Sequence, residues 1–210
     1  MANGRVFKAG KQAPTPSVKP AVLRVLHAVP PPEGAPADFE PSALSMDLSD
    51  FEFALLNLLF GMQSWAETCM SAADVRGLHF LDIIVLHAVN HRARLRKQTE
   101  ICMILNIEDG HLVSYALKKL MAAELVQVVV QGRERYFETT PKGATACVGY
   151  RKIREECLVP NLQWVGGREG LLRETAGFLR MMTALYAQSG RFALAATAGL
   201  PKSPPVHTKR

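Results

Sequence analysis

Between residues 108 and 139 the spacing of the apolar side chains changes from a helical period to a strand pattern. Residues 108–123 carry apolar side chains at helical spacing, whereas residues 125–130 and 133–139 have the β-branched and aromatic composition of strands. Gly132, between the two strand patterns, can supply the positive φ that a hairpin turn needs. The stretch therefore predicts an amphipathic helix that is followed directly by a β-hairpin.

A second helical pattern precedes this stretch. Residues 98–105 predict a short helix with Ile101, Cys102, Ile104 and Leu105 inward, and Asn106 tolerates the left-handed conformation that ends helices. Glu108 and Asp109 are suited to the N-terminus of the next helix. A short helix, a tight turn and an amphipathic helix are the elements of a helix-turn-helix, and a hairpin in this position is a wing.

Further helical patterns flank the motif. Residues 78–91 are apolar on nearly every side and predict a core helix. Thr140–Pro141 predicts the start of a helix that reaches about Leu158, because threonine caps helices and proline is favoured at the first helical position. Residues 171–186 predict a final amphipathic helix. The expected fold class is mainly α with a small β-hairpin wing, in which a winged helix-turn-helix domain is joined to N- and C-terminal dimerisation helices.

The dimer prediction comes from residues 47–77, where apolar side chains alternate at steps of three and four along a heptad seam that includes Cys69. A second apolar set lies off this seam, and a chain of 210 residues has little with which to cover both faces. A symmetric second copy would cover the rest. The predicted dimer-interface residues are Leu48, Phe51, Leu55, Leu58, Met62, Trp65, Phe178, Met182 and Leu185.

Composition sets the predicted domain boundaries. Residues 1–46 contain eight of the thirteen prolines and predict an extended arm rather than long helices. The other predicted segments are the dimerisation helix at 47–77, the winged domain at 78–158, the C-terminal dimerisation region at 159–198 and a flexible tail at 199–210.

No apolar run is long enough for a membrane span, and the first twenty residues lack the apolar core of a signal peptide. We therefore expect a soluble, cytoplasmic protein.

The net charge of +6 is concentrated in one part of the chain. Residues 91–154 contain twelve lysines and arginines against six carboxylates, so the rest of the chain sums to zero. A basic segment inside a patterned globular region indicates a polyanionic partner, most simply nucleic acid, although a mixed solvated surface is the alternative reading.

The residues from Thr99 to Gly143 resemble the MarR family of bacterial winged-helix regulators. Thr99–Glu100–Ile101 resembles the opening of the family's first motif helix, and Val113–Ser114 with Leu117–Lys118–Lys119–Leu120 resembles its recognition helix. Arg133 stands where the family has its wing arginine, and Thr140–Pro141–Lys142–Gly143 matches a threonine-x-lysine-glycine segment. The chain differs from the family at Glu124, where glycine is usual, and at Gln131, where aspartate is usual.

Recognition helices of this type enter the major groove, so His111, Ser114 and Tyr115 are predicted to touch bases and Lys118 and Lys119 to contact phosphates. Arg133 and Arg135, two apart on a predicted strand, would reach one backbone or minor groove together. Arg92, Arg94, Arg96 and Lys97 would clamp phosphates before the first motif helix. The predicted DNA-binding set is Arg96, Lys97, Thr99, His111, Ser114, Tyr115, Lys118, Lys119, Arg133 and Arg135.

Other functions have weaker support. The sequence shows no catalytic nucleophile with a nearby base, no phosphate-binding loop and no pair of catalytic carboxylates. We therefore expect a regulator rather than an enzyme, and we expect no cofactor. His87 and His91 lack the further ligands of a metal site. The four cysteines are expected to be reduced, and Cys69 to be a structural thiol rather than a redox sensor. The resemblance implies an aromatic or phenolic anion as ligand. The alternative function is a winged-helix protein–protein assembly module without specific DNA binding.

Overall fold

The computed structural model describes residues 40–165 and 170–197. The chain divides into two compact units, residues 1–54 and residues 55–210, and in the first of these residues 40–54 are described. The helices and strands are α1 (Ala43–Ala72), α2 (Phe80–Asn90), α3 (Gln98–Leu105), α4 (Gly110–Ala122), β1 (Val126–Gln131), β2 (Glu134–Thr139), α5 (Pro141–Ile153) and α6 (Leu171–Thr197). A 3₁₀ turn (His91–Ala93) follows α2, and a π turn (Arg154–Leu158) and a 3₁₀ segment (Val159–Val165) follow α5.

The predicted fold class and element order are confirmed, with three shifts of helix bounds. Helix α5 ends at Ile153 and is followed by the π turn, whereas the sequence predicted a helix to about Leu158. Helix α1 begins at Ala43, where the pattern had indicated Asp47, and α6 extends to Thr197, well beyond the predicted end near Tyr186. Gly190 does not end α6, because the alanine-rich segment around it favours helix. Residues 1–39 of the predicted arm and the predicted tail at 199–210 lie outside the described residues.

The core forms around α2, which is buried along most of its length. Its apolar side chains pack against the inner faces of α3, α4 and α5 and against the base of the hairpin; the fully buried members include Ile83, Val85, Leu86, Val89, Ile101, Val113, Leu117, Leu120 and Leu125. Cys69 and Met70, near the end of α1, are also fully buried. Ile104, which the pattern placed inward, is instead about half exposed, and so is Leu112 of α4.

The hairpin is antiparallel, with register from Val126↔Thr139 to Gln131↔Glu134. Gly132 and Arg133 form its two-residue turn, and Gly132 has φ +62°. Arg96 adds an isolated antiparallel bridge to Phe137 of β2, through backbone hydrogen bonds of 2.8 and 3.0 Å. The segment before α3 is therefore fixed to the base of the wing.

The connections between α4, β1 and α5 form one hydrogen-bonded junction. Glu124 takes a left-handed conformation with φ +60°, where the resembling family has glycine. The Thr140 hydroxyl donates to the Glu124 carbonyl at 2.7 Å and accepts the Gly143 N–H at 3.0 Å, which caps α5. The Lys142 ammonium donates to the Ala123 carbonyl at 2.9 Å and lies 3.4 Å from the Glu124 carboxylate. These contacts hold Glu124 in a conformation that costs a non-glycine residue energy.

Within residues 40–165 and 170–197, no helix is both long enough and apolar enough to cross a membrane.

Candidate nucleic-acid interface

The helix-turn-helix is made by α3 and α4. Asn106 ends α3 in the left-handed conformation, at φ +53°, as predicted, and the Ile107 N–H donates to the Cys102 carbonyl at 3.0 Å. The Gln98 side-chain amide donates to the Gly110 carbonyl at 2.8 Å. This contact joins the first residue of α3 to the first residue of α4, so Gln98 helps to set the angle between them. Sequence analysis did not identify Gln98, because a single glutamine carries no positional signal.

Helix α4 presents a polar outer surface at its N-terminal half. Asp109 caps the helix by accepting the His111 N–H at 2.8 Å. His111 and Lys118 are exposed, Tyr115 is 71% exposed and Ser114 is half-buried. The Lys118 ammonium lies 5.6 Å from the centre of the Tyr115 ring. These four side chains lie on the side of α4 opposite its buried residues, and their predicted contacts with DNA stay a prediction.

Lys119 forms an ion pair with another residue of the domain, although its side chain is 41% exposed. Its ammonium lies 2.6 Å from a carboxylate oxygen of Asp82, whose side chain is almost fully buried. The same oxygen accepts the His79 N–H at 2.9 Å and so caps α2. A buried carboxylate needs such partners, since an unpaired charge there is strongly destabilising. Lys119 therefore braces α4 against α2, and its predicted phosphate contact stays untested.

The prediction that Arg96 contacts DNA is wrong, because Arg96 is buried and only 2% exposed. Its guanidinium donates to the His91 carbonyl at 2.6 Å, and its backbone pairs with Phe137. Burial, followed by the positive charge of Arg94, lowers the pKa of Arg96. Arg96 closes the segment between α2 and α3 instead of facing a phosphate. The pairing that buries it is with a strand far along the chain, so no local pattern could reveal it.

The neighbouring residues remain accessible. Arg92 and Arg94 are exposed, and Arg94 lies 3.3 Å from a carboxylate oxygen of Glu100. Lys97 is half-buried and Thr99 is exposed at the start of α3. The Lys97 ammonium pairs with the Glu134 carboxylate at 2.5 Å, which raises the pKa of Lys97. This pair joins the start of α3 to the tip of the wing.

The wing arginines differ from the prediction in their placement. Arg133 lies in the turn and Arg135 lies in β2 opposite Val130, so the two do not share one strand as predicted. Both are exposed. The turn is one residue later than the Gln131–Gly132 pair that the sequence indicated, and this shift places Arg133 at the tip of the hairpin.

Two contacts bring the candidate DNA-binding residues of α3, α4 and the wing close together. The Gln98–Gly110 contact holds the N-termini of α3 and α4 together, and the Lys97–Glu134 pair holds the wing tip to the N-terminus of α3. Exposed polar and cationic groups on the three elements thus share one region of the domain. Helix N-termini and arginines both favour phosphate oxygens. This arrangement is suited to a duplex whose groove takes α4 and whose backbone passes the wing.

Comparison with known proteins agrees with this geometry. Residues 78–143 match the family of winged helix DNA-binding domains. No curated protein matches the chain significantly. Among solved structures, a MarR-family regulator from Neisseria meningitidis is 13% identical, with a TM-score of 0.56, over 70% of this chain and 98% of that chain.

Two further solved structures give the same result. A MarR-family transcription regulator is 14% identical with a TM-score of 0.54, over 71% of this chain and 99% of that chain. A MarR-family transcriptional regulator from Rhodococcus sp. RHA1 is 15% identical with a TM-score of 0.50, over 64% of this chain and 94% of that chain. At these identities the likeness is one of fold.

Proposed function

We propose that this chain, which has the fold of MarR-family regulators and carries a winged helix DNA-binding domain, is a transcriptional repressor that binds double-stranded DNA sequence-specifically as a homodimer on a pseudo-palindromic operator. The observation that carries the proposal is the outer face of α4. It is capped, braced from behind by the Lys119–Asp82 pair and exposed at His111, Tyr115 and Lys118. A helix held in this way can enter a major groove without rearranging.

Within this proposal the candidate residues divide by chemistry. Tyr115, Ser114 and His111 lie in the first two turns of α4, which meet base edges in such complexes, and supply hydroxyl and imidazole groups for direct readout. Lys118, Arg133 and Arg135 supply charge to phosphates and fix the register of the protein on the duplex. Lys97 and Thr99 lie at the N-terminus of α3, where a backbone phosphate would also be stabilised.

The homodimer is supported by apolar side chains that are exposed in the part of the chain that the structure describes. Leu58 is 60% exposed on α1 and Leu185 is 53% exposed on α6, and Leu48 and Met62 are also exposed. Leu55, Trp65 and Met182 are half-buried. A symmetric copy that contacts both helices would remove these groups from water and place two copies of α4 on one face of the duplex.

The proposal makes the protein a regulator and not an enzyme. The proposed roles of its residues are contacts with nucleobases and phosphates. None of these residues forms the pair of nucleophile and general base that a hydrolytic enzyme needs. The aromatic or phenolic ligand that relieves binding is implied by the resemblance and stays a prediction.

Replacing Tyr115 with alanine tests the function. Because Tyr115 is largely exposed, the variant should fold normally and lose about 1–3 kcal/mol of preference for the operator over random duplex. Lys118→Ala should weaken both duplexes alike and reduce the slope of log K against log salt by about 0.9. Binding titrations at several salt concentrations measure both effects.

Lys152→Ala is the matched control, because Lys152 is an exposed lysine on α5, away from α4 and the wing, and pairs with Glu156 at 3.8 Å. It should bind as the wild type does. A salt-independent titration, or equal losses on operator and random duplex for Tyr115→Ala, would contradict the assignment and favour the assembly module.

A further inference from the structure

A polar cavity of about 410 Å³ lies between the C-terminal end of α2, the 3₁₀ turn after it and the C-terminal half of α5. Its lining includes His87, Asn90, Arg92, Tyr150, Arg151 and Arg154. None of the residues that line it is acidic. It belongs to neither α4 nor the wing, and the proposed DNA contacts do not use it.

The cavity concentrates positive charge. It is lined by three arginines, of which Arg92 has a left-handed backbone at φ +62°. Arg154 lies 3.5 Å from the exposed carboxylate of Glu155, whereas Arg92 and Arg151 form no ion pair with any carboxylate of the described segments. Like charges brought together repel, so an anion between the guanidinium groups would lower the free energy of the site.

One residue of the lining, His87, also has an unsatisfied polar atom. The Nε2 of His87 is buried and has no hydrogen-bond partner among the described residues. Burial, then the charges of Arg154 and Arg151, lower the pKa of His87 and so favour its neutral form. Its ring packs edge-on against Tyr150 with centroids 4.6 Å apart, which fixes its direction. A buried polar atom without a partner is rare in folded proteins, and a bound water or ion is one explanation for it.

Asn90 provides a further donor. Its side-chain oxygen accepts the Thr139 hydroxyl at 3.1 Å, and its two amide N–H groups have no partner among the residues that the structure describes. Donors therefore surround the cavity from α2, from the 3₁₀ turn and from α5.

We propose that this cavity binds a compact dianion, a phosphate group or a small polycarboxylate. Its volume lies within the range of small-molecule sites, about 300–1,000 Å³. Guanidinium forks match the paired oxygens of phosphate and carboxylate groups. A lining of arginine, histidine and asparagine fits a small, highly charged ion better than the aromatic ligand that the family resemblance implies. The inference does not depend on DNA binding.

Calorimetric titration of the full chain, without DNA and at constant ionic strength, tests the proposal. The probes are inorganic phosphate, citrate and, as an aromatic monoanion, benzoate. We expect one phosphate or citrate to bind per chain, and benzoate to bind at least about tenfold more weakly because it carries one charge. The stronger of the first two probes shows whether the site takes a phosphate or a polycarboxylate.

Arg151→Ala combined with Arg154→Ala should weaken binding of the better probe by about tenfold or more, because both charge-assisted contacts are lost. Both side chains are exposed on helical turns, so the variant should keep the wild-type circular dichroism spectrum. Lys152→Ala removes one charge from the same helix outside the cavity and should bind as the wild type does. No binding by the wild type, equal binding by the double variant, or preference for benzoate would overturn the proposal.

Discussion

Gly143→Ala should destabilise the protein by more than about 3 kcal/mol, beyond the usual cost of an overpacked core. Gly143 is buried in the first turn of α5, and a Cβ atom there would overlap the carbonyl oxygen of Leu125 and press on its carbonyl carbon. Both neighbours are backbone atoms, so no side chain can rotate away. The same Leu125 oxygen accepts the Thr140 N–H at 3.1 Å, so moving it would break the junction between the wing and α5.

Thermal unfolding, followed by circular dichroism, measures the effect. Gly190→Ala is the matched control, because a Cβ at Gly190 of α6 meets no atom within 4 Å and alanine favours helix more than glycine does. The control should be as stable as the wild type or slightly more so. A Gly143→Ala protein that melts within a few degrees of the wild type would mean that the junction adjusts freely.

Leu55→Glu combined with Leu58→Glu should separate the homodimer and abolish operator binding, although neither residue lies in α4 or the wing. Leu58 is 60% exposed and Leu55 half-buried in the single chain. Burying a leucine contributes about 1.5–3 kcal/mol, so an interface with several such groups can exceed the cost of association. Two carboxylates in that interface would be desolvated without partners, which is strongly unfavourable.

Light scattering at micromolar concentration measures the mass of the Leu55→Glu, Leu58→Glu variant, and a titration measures its binding to duplex DNA. The loss of the dimer and the loss of binding should occur together. Ser64→Glu combined with Thr68→Glu adds the same charge to exposed positions of α1 that lie off the heptad seam, and should stay dimeric. A wild-type chain that is monomeric yet binds a palindromic site tightly would overturn the proposed dimer.

Local signals predicted most of the fold. Asn106, Gly132 and Thr140 each serve a conformational need at their own positions, as a helix end, a turn residue and a helix cap, and all three act as predicted. The buried face of α4 was also predicted, from the helical spacing of its apolar residues. Such features depend on neighbours within a few residues, which the sequence displays directly.

Contacts between distant segments were not predictable in this way. The burial of Arg96 against Phe137 and the Lys119–Asp82 pair both join segments far apart in the chain. A run of charged residues such as 92–97 gives the same pattern whether its members face solvent or a strand. Glu124 is a related case, because its left-handed conformation depends on partners supplied by Thr140 and Lys142.

Selection from a pool of random duplexes shows whether this chain binds DNA sequence-specifically. The purified full chain is mixed with the pool, and the retained fragments are sequenced. We expect enrichment of one motif with two-fold-related halves about 10–10.5 base pairs apart, since two α4 helices would enter successive major grooves. Lys152→Ala should enrich the same motif, and Tyr115→Ala should enrich it less or shift its sequence. Retained fragments with the sequence composition of the input pool would contradict the account.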